Sequence, residues 1–495
     1  MRTMTETAKK KRGMPSSFTI LLLLLAIVAV ITVVISGTSG GAVTAARPSD
    51  FFTAPVKGFA DALPVCLFVM ILGGFLGMMT ETGALDNGIA VLVKKLHGRE
   101  IMLVPVLMLI FSLGGTTYGM CEETVPFYAL LAATMMAAGF DPMVGAATVL
   151  LGAGCGCLGS TVNPFAVGAA VDALTGVGIE VNQSIIIGLG AVLWIVTTVM
   201  SILFVMSYAK KVKADKGSTI LSMQELKDAE EAHGKAASEV HKEVKLTGRQ
   251  KGVLIAFAFT FVVMIVGFIP LADLNEGVAN FFDAGAVYDA DGNAIVQGWS
   301  ALITGLPIGQ WYFDEASTWF FLMAVLIGII GGLSEKQIVN TFITGAADMM
   351  SVVLVIALAR GISVLMASTG LDVYVLDAAA NALAGLSGVI FAPMSFLVYF
   401  GLSFLIPSTS GMATVSMPIM GPLAVKLGFS PEVMVMIFSA AIGVVNLFTP
   451  TSGAIMGGLA LAKIEWTTWL KFALKLIVAL SVVCAIILTV ACVML

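Results

Sequence analysis

The stretch that decides the fold is GTTYGMCEETVP, residues 115–126, because it puts hydroxyl and carboxyl groups in the middle of a long apolar run. This stretch and the two apolar arms that flank it cover residues 101–138 or so. The arms are too short for two comfortable membrane spans joined by an exposed loop. Irregular backbone at membrane depth is tolerated where it is buried in protein or lines a wet cavity. We therefore predict a re-entrant hairpin whose tip faces a cavity.

The composition indicates a polytopic membrane protein made of helices. Of the 495 residues, 58% are hydrophobic and 12% are charged, about half the charged fraction usual in soluble domains. Apolar segments near the ~20 residues needed to cross a bilayer recur along the chain. The first of them, at 18–36, is longer than the core of a secretory signal, so we interpret it as the first membrane helix.

Self-comparison predicts that the membrane part consists of two copies of one unit. Gly58 and Asp61 recur 287 residues later as Gly345 and Asp348. The tip motif GTTYGM at 115–120 is matched by PSTSGM at 407–412. Weak internal similarity of this kind is the mark of repeat transporters. An odd number of crossings between the copies would invert the second one, so that the two hairpins open from opposite sides.

A second repeated element is a helix broken midway. The first lies at about 142–176 with the motif GSTVNP at 159–164, and the second at about 431–463 with FTPTSG at 448–453. Pro164 and Pro450 have no amide hydrogen to donate, and Gly453 is conformationally permissive, so the helix ladder opens at these points. Free helix ends can then bind an anionic group, while released carbonyls and hydroxyls can coordinate a cation.

These four polar elements supply the predicted site. The candidate substrate-binding residues are Thr116, Thr117, Glu122, Glu123, Asn163, Ser408, Thr409, Ser410, Thr451 and Ser452. The candidate sodium-binding residues are Ser160, Thr161, Asn163, Asn446 and Thr449. A hydroxyl that bonds back to its own helix is the alternative for any one of them.

With these motifs, the sequence resembles the YfcC/DcuC family of the ion transporter superfamily, over most of the chain apart from the linker at 209–250. The resemblance implies a scaffold and a transport domain in each protomer, a homodimer, and elevator-like movement of the hairpins and broken helices. It also implies secondary transport driven by sodium, by protons or by exchange, with no other cofactor. Some relatives carry four-carbon dicarboxylates and others exchange arginine and ornithine, so the substrate stays open.

The charged residues favour an amino acid over a dicarboxylate. Ionisable groups at membrane depth are costly and by default suggest function. Glu122 and Glu123 are adjacent, so on a helix at most one faces the substrate, where it would repel a dianion and attract an ammonium or guanidinium group. Arg360 stands in an apolar segment and could bind a substrate carboxylate or play a structural part. It is the main argument for a sodium- or proton-coupled dicarboxylate or organic anion carrier.

The distribution of Lys and Arg orients the chain in the inner membrane. We expect a cytoplasmic tail at 1–16, a first repeat at 17–208, a charged cytoplasmic linker at 209–250, a connecting helix with an external loop at 251–315, and a second repeat at 316–495 with its hairpin at about 388–427. The C-terminus is then external. The linker is interpreted as a solvated tether, with a regulatory role as the alternative.

Other functional classes are less well supported. HExxH is absent, and the three histidines lie outside the apolar segments, so neither a metalloprotease nor a serine protease within the membrane is indicated. The six cysteines all lie in apolar segments and form no zinc or disulfide pattern. An ion channel would tolerate the broken helices. Nothing in the composition suggests a nucleic-acid partner, and the expected partners are a small-molecule substrate and the lipid bilayer.

Overall fold

A computed structural model describes residues 17–85, 87–88, 91, 99–239, 245–269, 271–274, 276–289, 294–406 and 408–495. The predicted tail at 1–16 and Pro407 of the second tip lie outside these residues. The first half of the chain contains the helices Ser17–Ser36, Pro48–Asp61, Leu63–Glu81, Leu103–Tyr118, Val125–Ala137, Pro142–Leu158, Ala169–Thr175, Gln183–Ala214 and Met223–Glu239. The second part contains Gly248–Phe268, Leu271–Leu274, Glu276–Phe282, Phe313–Gly331, Glu335–Asp348, Met350–Thr369, Leu371–Leu383, Gly388–Leu405, Thr409–Lys426, Pro431–Val445, Gly453–Leu461 and Trp466–Met494.

The protein is an all-α polytopic membrane protein. Within the described residues, 8 helices are long and apolar enough to cross a bilayer. Their apolar faces are extensively exposed, as expected for surfaces that meet lipid; Leu203 and Ile255, for example, are 64% and 70% exposed. A two-stranded antiparallel ribbon of Val287–Tyr288 and Ala294–Val296 lies in the predicted external loop.

Two helical hairpins stand where the polar motifs predicted turns. The first hairpin consists of Leu103–Tyr118 and Val125–Ala137, joined by a tip at 119–124. The second hairpin consists of Gly388–Leu405 and Thr409–Lys426. The first arm of the first hairpin, counted from Glu100, is by length and composition sufficient to cross a bilayer, so the expectation that it turns back stays a prediction.

Two broken helices also form at the predicted motifs. The first broken helix consists of Pro142–Leu158, a break at 159–163, and Pro164–Thr175, which starts with a π-helical turn. The second broken helix consists of Pro431–Val445, a break at 446–452, and Gly453–Leu461. The two long halves pack against each other at the centre of the molecule and are almost fully buried.

Helices from the two halves of the chain pair reciprocally. Pro48–Asp61 packs against Met350–Thr369, and Leu63–Glu81 packs against Glu335–Asp348. We call these four helices the frame. Pro48–Asp61 corresponds to Glu335–Asp348, and Leu63–Glu81 corresponds to Met350–Thr369, because the members of each pair begin 287 residues apart. Each frame helix therefore contacts the counterpart of its own neighbour. Reciprocal contact of this kind is what a two-fold relation produces. Whether the second half is inverted with respect to a bilayer stays a prediction.

Glycines permit this close frame packing. Gly58 lies against Gly361, and Gly345 lies against Gly73 and Gly74, which is the same contact made twice, once by each half. A β-carbon at Gly345 would overlap the carbonyl oxygen of Gly73, and the reverse is also true. Small residues let helix backbones approach in membranes, where packing rather than hydrophobic exclusion drives association.

The hairpins and broken helices pack into a second unit, which we call the core. Both arms of each hairpin contact the long half of the broken helix that follows in sequence. The halves also cross over, because Val125–Ala137 contacts Gly453–Leu461 while Thr409–Lys426 contacts Ala169–Thr175. The core meets the frame chiefly where Gly453–Leu461 lies against Met350–Thr369. A space between the two units is therefore bounded by elements from both halves of the chain.

The charged linker is more ordered than a simple tether would require. Gln183–Ala214 continues past the predicted linker start, and Met223–Glu239 packs against the second arm of the first hairpin. The Thr219 hydroxyl donates to the Asp141 carboxylate at 2.7 Å, and the Tyr208 hydroxyl donates to the same group at 2.6 Å. The linker is therefore attached to the core, both through these bonds and through the packing of Met223–Glu239, which we call the linker helix.

Candidate functional site

A cavity of about 470 Å³ lies between the core and the frame. It is lined by residues of both hairpin tips and both helix breaks, and by the frame helices that carry Asp61 and Arg360. The predicted residues that reach its wall are Glu122, Asn163, Arg360, Ser408, Thr409, Ser410, Asn446, Thr451 and Ser452. Positions more than 300 residues apart in the chain thus meet around one space.

The first tip is held by bonds to the first break. The Thr116 hydroxyl donates to the Gly159 carbonyl at 2.6 Å, and the Thr161 hydroxyl donates to the Thr116 carbonyl at 3.0 Å. Gly119 then turns the chain with a positive φ of 80°, where a β-carbon would meet the side-chain amide of Asn163. A glycine is needed here both for the left-handed backbone and for the space.

Asn163 organises the first break. Its side-chain oxygen accepts the amide hydrogens of Phe165 and Ala166 at 2.9 and 3.3 Å, which caps the second half of the helix. Its side-chain nitrogen donates to the Ser160 hydroxyl at 2.9 Å, and that hydroxyl donates in turn to the Cys157 carbonyl at 2.6 Å. Helix starts leave amide donors that a polar side chain must satisfy. Asn163 therefore both builds the break and presents a polar edge to the cavity.

The second tip and second break place two helix starts at the cavity. Ser408 accepts the Gly411 amide at 3.1 Å and caps the helix Thr409–Lys426. The hydroxyls of Thr449 and Thr451 lie 2.7 Å apart, and Ser452 precedes the helix Gly453–Leu461. Both helices begin at the cavity wall. Their N-termini carry partial positive charge, which favours an anionic group in the cavity.

The two adjacent glutamates take different positions. Glu122 lines the cavity and is half-buried. Glu123 is 1% exposed, does not line the cavity, and accepts the amide hydrogen of Cys121 at 3.0 Å. The pair lies on a single short turn, Glu122–Thr124, so successive side chains point in different directions. Only one carboxylate of the pair is available to a bound molecule.

Arg360 reaches the cavity but already has a partner. Its guanidinium Nε donates to the Asp61 carboxylate at 3.0 Å, and both residues line the cavity. Asp172 from the first broken helix lines it as well. Among the described residues, three carboxylates and one guanidinium therefore face the space, so its formal charge is negative when all are ionised.

Some predicted residues serve the framework of the site and do not line the cavity. They are Thr116, Thr117, Glu123, Ser160, Thr161 and Thr449. The Thr117 hydroxyl, for example, donates to the Leu113 carbonyl of its own helix at 2.7 Å. Among the candidate sodium ligands, this leaves Asn163 and Asn446 on the wall, while the hydroxyls of the others bond within or beside the breaks.

Several cavity residues were not among the predicted site residues. They are Asp61, Tyr128, Phe165, Tyr312 and Phe313, all of which line the cavity. Phe165 directly follows the Pro164 of the first break, which was a usable signal. Asp61 was marked by its recurrence as Asp348, although the repeat did not show that it faces a cavity. Tyr128, Tyr312 and Phe313 are brought in by packing between distant helices, and no local pattern marks them.

Comparison with known proteins identifies a family for the chain. Residues 45–493 match the model of the DcuC family, described as the C4-dicarboxylate anaerobic carrier. An uncharacterized protein of Haemophilus influenzae is 29% identical over 443 residues, which cover 89% of this chain and 78% of that protein. A putative basic amino acid antiporter of Escherichia coli, YfcC, is 26% identical over 440 residues, covering 87% of this chain and 77% of the relative.

Two solved transporter structures resemble the chain more distantly. MtrF of Neisseria gonorrhoeae, described with a class of antimetabolite efflux pumps, gives a TM-score of 0.44 at 18% identity and covers 98% of this chain and 96% of its own. The YdaH transporter of Alcanivorax borkumensis gives a TM-score of 0.45 at 16% identity, with coverage of 96% and 98%.

The fold and the cavity define a multi-pass membrane protein of the transporter class, with hairpin tips and helix breaks around a polar space. Because the family model spans nearly the whole membrane part, the chain belongs to the DcuC family of carriers. The family resemblance predicted from the tip and break motifs is thereby confirmed.

Proposed function

We propose that the protein is a secondary active transporter of an amino acid with a cationic side chain, such as arginine or ornithine, in the inner membrane. The observation that carries the proposal is the cavity at which both tips and both breaks converge, with an excess of carboxylates on its wall. The relative described as a putative basic amino acid antiporter supports the same substrate class.

The charges of the cavity match a cationic side chain. Glu122 and Asp172 lie on the core wall, while the Asp61 charge is compensated by Arg360 at 3.0 Å. An ammonium or guanidinium group attracted to Glu122 would regain in charge-assisted hydrogen bonds part of what it loses in hydration. A second carboxylate on the substrate would instead be repelled.

The same cavity can hold the α-carboxylate of an amino acid. Helix N-termini offer unsatisfied amide donors and a favourable dipole, and Thr409–Lys426 and Gly453–Leu461 both begin at the wall. Thr409, Ser410 and Ser452 add hydroxyl donors there. We assign the carboxylate to the second-half tip and break, and the cationic group to the first-half carboxylates.

Transport would be coupled to sodium or protons, or would proceed by exchange. The protein would act as a homodimer, with elevator-like movement of the core against the frame in each protomer. The packing supports such movement, because the hairpins and broken helices pack mainly with one another and meet the frame chiefly through Gly453–Leu461 and Met350–Thr369. Asn163 and Asn446 are the candidate sodium ligands that remain on the cavity wall.

A dicarboxylate carrier is the alternative, and two observations favour it. The family is described by a C4-dicarboxylate substrate, and Arg360 lies on the cavity wall. For Arg360 to bind a substrate carboxylate, it would have to exchange or share its bond to Asp61.

Flux through purified protein in proteoliposomes tests the proposal. Labelled arginine should enter under a sodium or proton gradient, or against internal arginine or ornithine, and unlabelled arginine should compete better than succinate. The reverse order of competition would support the dicarboxylate carrier. Counterflow also separates a transporter from a channel, since a channel shows single-channel currents and no counterflow.

A further inference from the structure

A second cavity of about 820 Å³ lies on the other flank of the first hairpin. Its core wall is the second arm of that hairpin, where Pro126, Ala129 and Ala133 face it, together with Leu461 at the end of the second broken helix. Its frame wall comes from Leu63–Glu81, Glu335–Asp348 and the start of Met350–Thr369. The proposed substrate site does not assign any role to this space.

The frame walls of the two cavities are counterparts of each other in the internal repeat. Residues of the first cavity correspond, 287 positions apart, to residues of the second in the pairs Asp61 and Asp348, Ala62 and Met349, Pro64 and Ser351, and Arg360 and Gly73. Two unrelated clefts would not share equivalent positions at the same offset. The frame therefore presents one surface twice, once to each cavity.

The core walls of the two cavities differ in polarity. In the first cavity the frame faces the tips and breaks, with Glu122, Asn163 and Ser410. In the second cavity, as far as the described residues show, the equivalent frame surface faces the apolar side of a hairpin arm. The polar site is thus presented to one frame surface, while the matching frame surface stands opposite an apolar hairpin arm, with Lys463 and His233 beside that arm.

The two cavities also differ in charge. The counterpart of Arg360 in the second cavity is Gly73, so Asp348 lacks the guanidinium that in the first cavity neutralises Asp61. Glu81 adds a second carboxylate to the frame wall, and Lys463 lies on the opposite wall, in a left-handed conformation with φ of 61°. Burial and the nearby Lys463 lower the pKa of His233, which favours its neutral form.

The linker helix forms part of this second wall. Ala232 and His233 line the cavity, and His233 Nε2 lies 3.1 Å from the Leu461 carbonyl oxygen. Near the start of the same helix, the Glu225 carboxylate, in a side chain that is 4% exposed, accepts the Glu465 amide at 2.9 Å. The side of the molecule on which this cavity lies is therefore the side of the charged linker.

We infer that the second cavity is the substrate path on the linker side, in which Asp348, the repeat counterpart of Asp61, is the frame carboxylate that a cationic substrate meets. This inference rests on the proposed function. When the core moves along the frame, the tips come to face Asp348, and a cationic substrate then meets a carboxylate that lacks the guanidinium of the first cavity. The linker helix moves with the core, because it packs on the second arm of the first hairpin and His233 contacts the Leu461 carbonyl.

Filling the second cavity with a bulky side chain tests the path. Thr344 is exposed and lines the cavity, so Thr344→Trp adds volume without replacing a buried group. The matched control is Ile343→Trp, one position earlier and 59% exposed but outside the cavity wall. We expect Thr344→Trp to lose labelled-arginine flux and keep arginine-induced thermal stabilisation, while Ile343→Trp keeps both. Normal flux in Thr344→Trp, or loss of both readouts, would overturn the inference.

A second measurement does not depend on the substrate. In Thr344→Cys, a membrane-impermeant maleimide should label the new cysteine from the linker side, in inside-out but not in right-side-out vesicles, above the labelling of the unmodified protein with its native cysteines. Labelling from the opposite side overturns the inference. A wild-type protein that binds and carries no arginine, with the labelling as expected, would instead point to failure of the proposed substrate.

Discussion

Replacing Glu122 by glutamine should weaken binding of a cationic amino acid without disturbing the fold. Glu122 is the carboxylate of the first tip that reaches the cavity, and glutamine keeps its size while removing the charge. Losing one hydrogen bond to a charged group costs about 1.5–3 kcal/mol. Since ~1.4 kcal/mol is a factor of ten, we expect the Kd for arginine to rise roughly 10- to 150-fold.

The matched control for this prediction is Glu123→Gln. Glu123 is buried and accepts the Cys121 amide at 3.0 Å, a bond that the glutamine oxygen can still accept. Arginine binding should therefore change little in this variant. Both proteins would be compared by calorimetry in detergent and by flux in proteoliposomes.

Equal affinities of the Glu122→Gln variant and the wild type for arginine would refute the assignment of the cationic group to the first tip. Equal losses in both glutamine variants would show that the effect is structural. A gain in succinate affinity for Glu122→Gln, with no change for arginine, would favour the dicarboxylate carrier, because it would reveal a site limited by charge repulsion.

Three further predictions concern the frame and the linker. Arg360→Gln frees the Asp61 carboxylate, so arginine binding should be retained, whereas a dicarboxylate carrier would lose succinate binding; a competition panel decides. Gly345→Val would overlap the Gly73 backbone, and overpacking of this kind costs about 1–3 kcal/mol, visible as a lower midpoint of thermal unfolding than that of the wild-type protein. The pKa of His233 is lowered from 6.5 in the folded protein, so the unfolded chain binds a proton on this ring more readily. The free energy of unfolding should therefore be retained above pH 6.5 and decrease as the pH falls below it, and the decrease should be smaller in His233→Gln.

Much of the fold was predictable because its signals are local. Hydrophobic length identifies spans, and Pro164, Pro450 and Gly453 interrupt helices through their own backbone chemistry. The repeated tip motif showed where the hairpins turn. The length of each element and its interruptions depend on a few neighbouring residues, and so the order of residues along the chain is enough to predict them.

The residues that line the cavity were predictable only in part. Residues in the tips and breaks were placed near one another by the repeat, yet Thr116 and Thr161 turned inward to bond each other while Ser410 and Ser452 face the space. Whether a hydroxyl serves the framework or the cavity depends on the direction of its side chain. That direction is set by which carbonyl group lies within reach after folding.

The sequence by itself determined the class of protein, the polar interruptions and their pairing across the two halves. Only the tertiary structure decided that Arg360 is paired with Asp61 and that Glu122, not Glu123, faces the cavity. The reason is physical: helix formation depends on contacts a few residues apart, whereas an ion pair and a cavity depend on how helices hundreds of residues apart are packed. The charge balance of the site, on which the choice of substrate depends, therefore belongs to the fold.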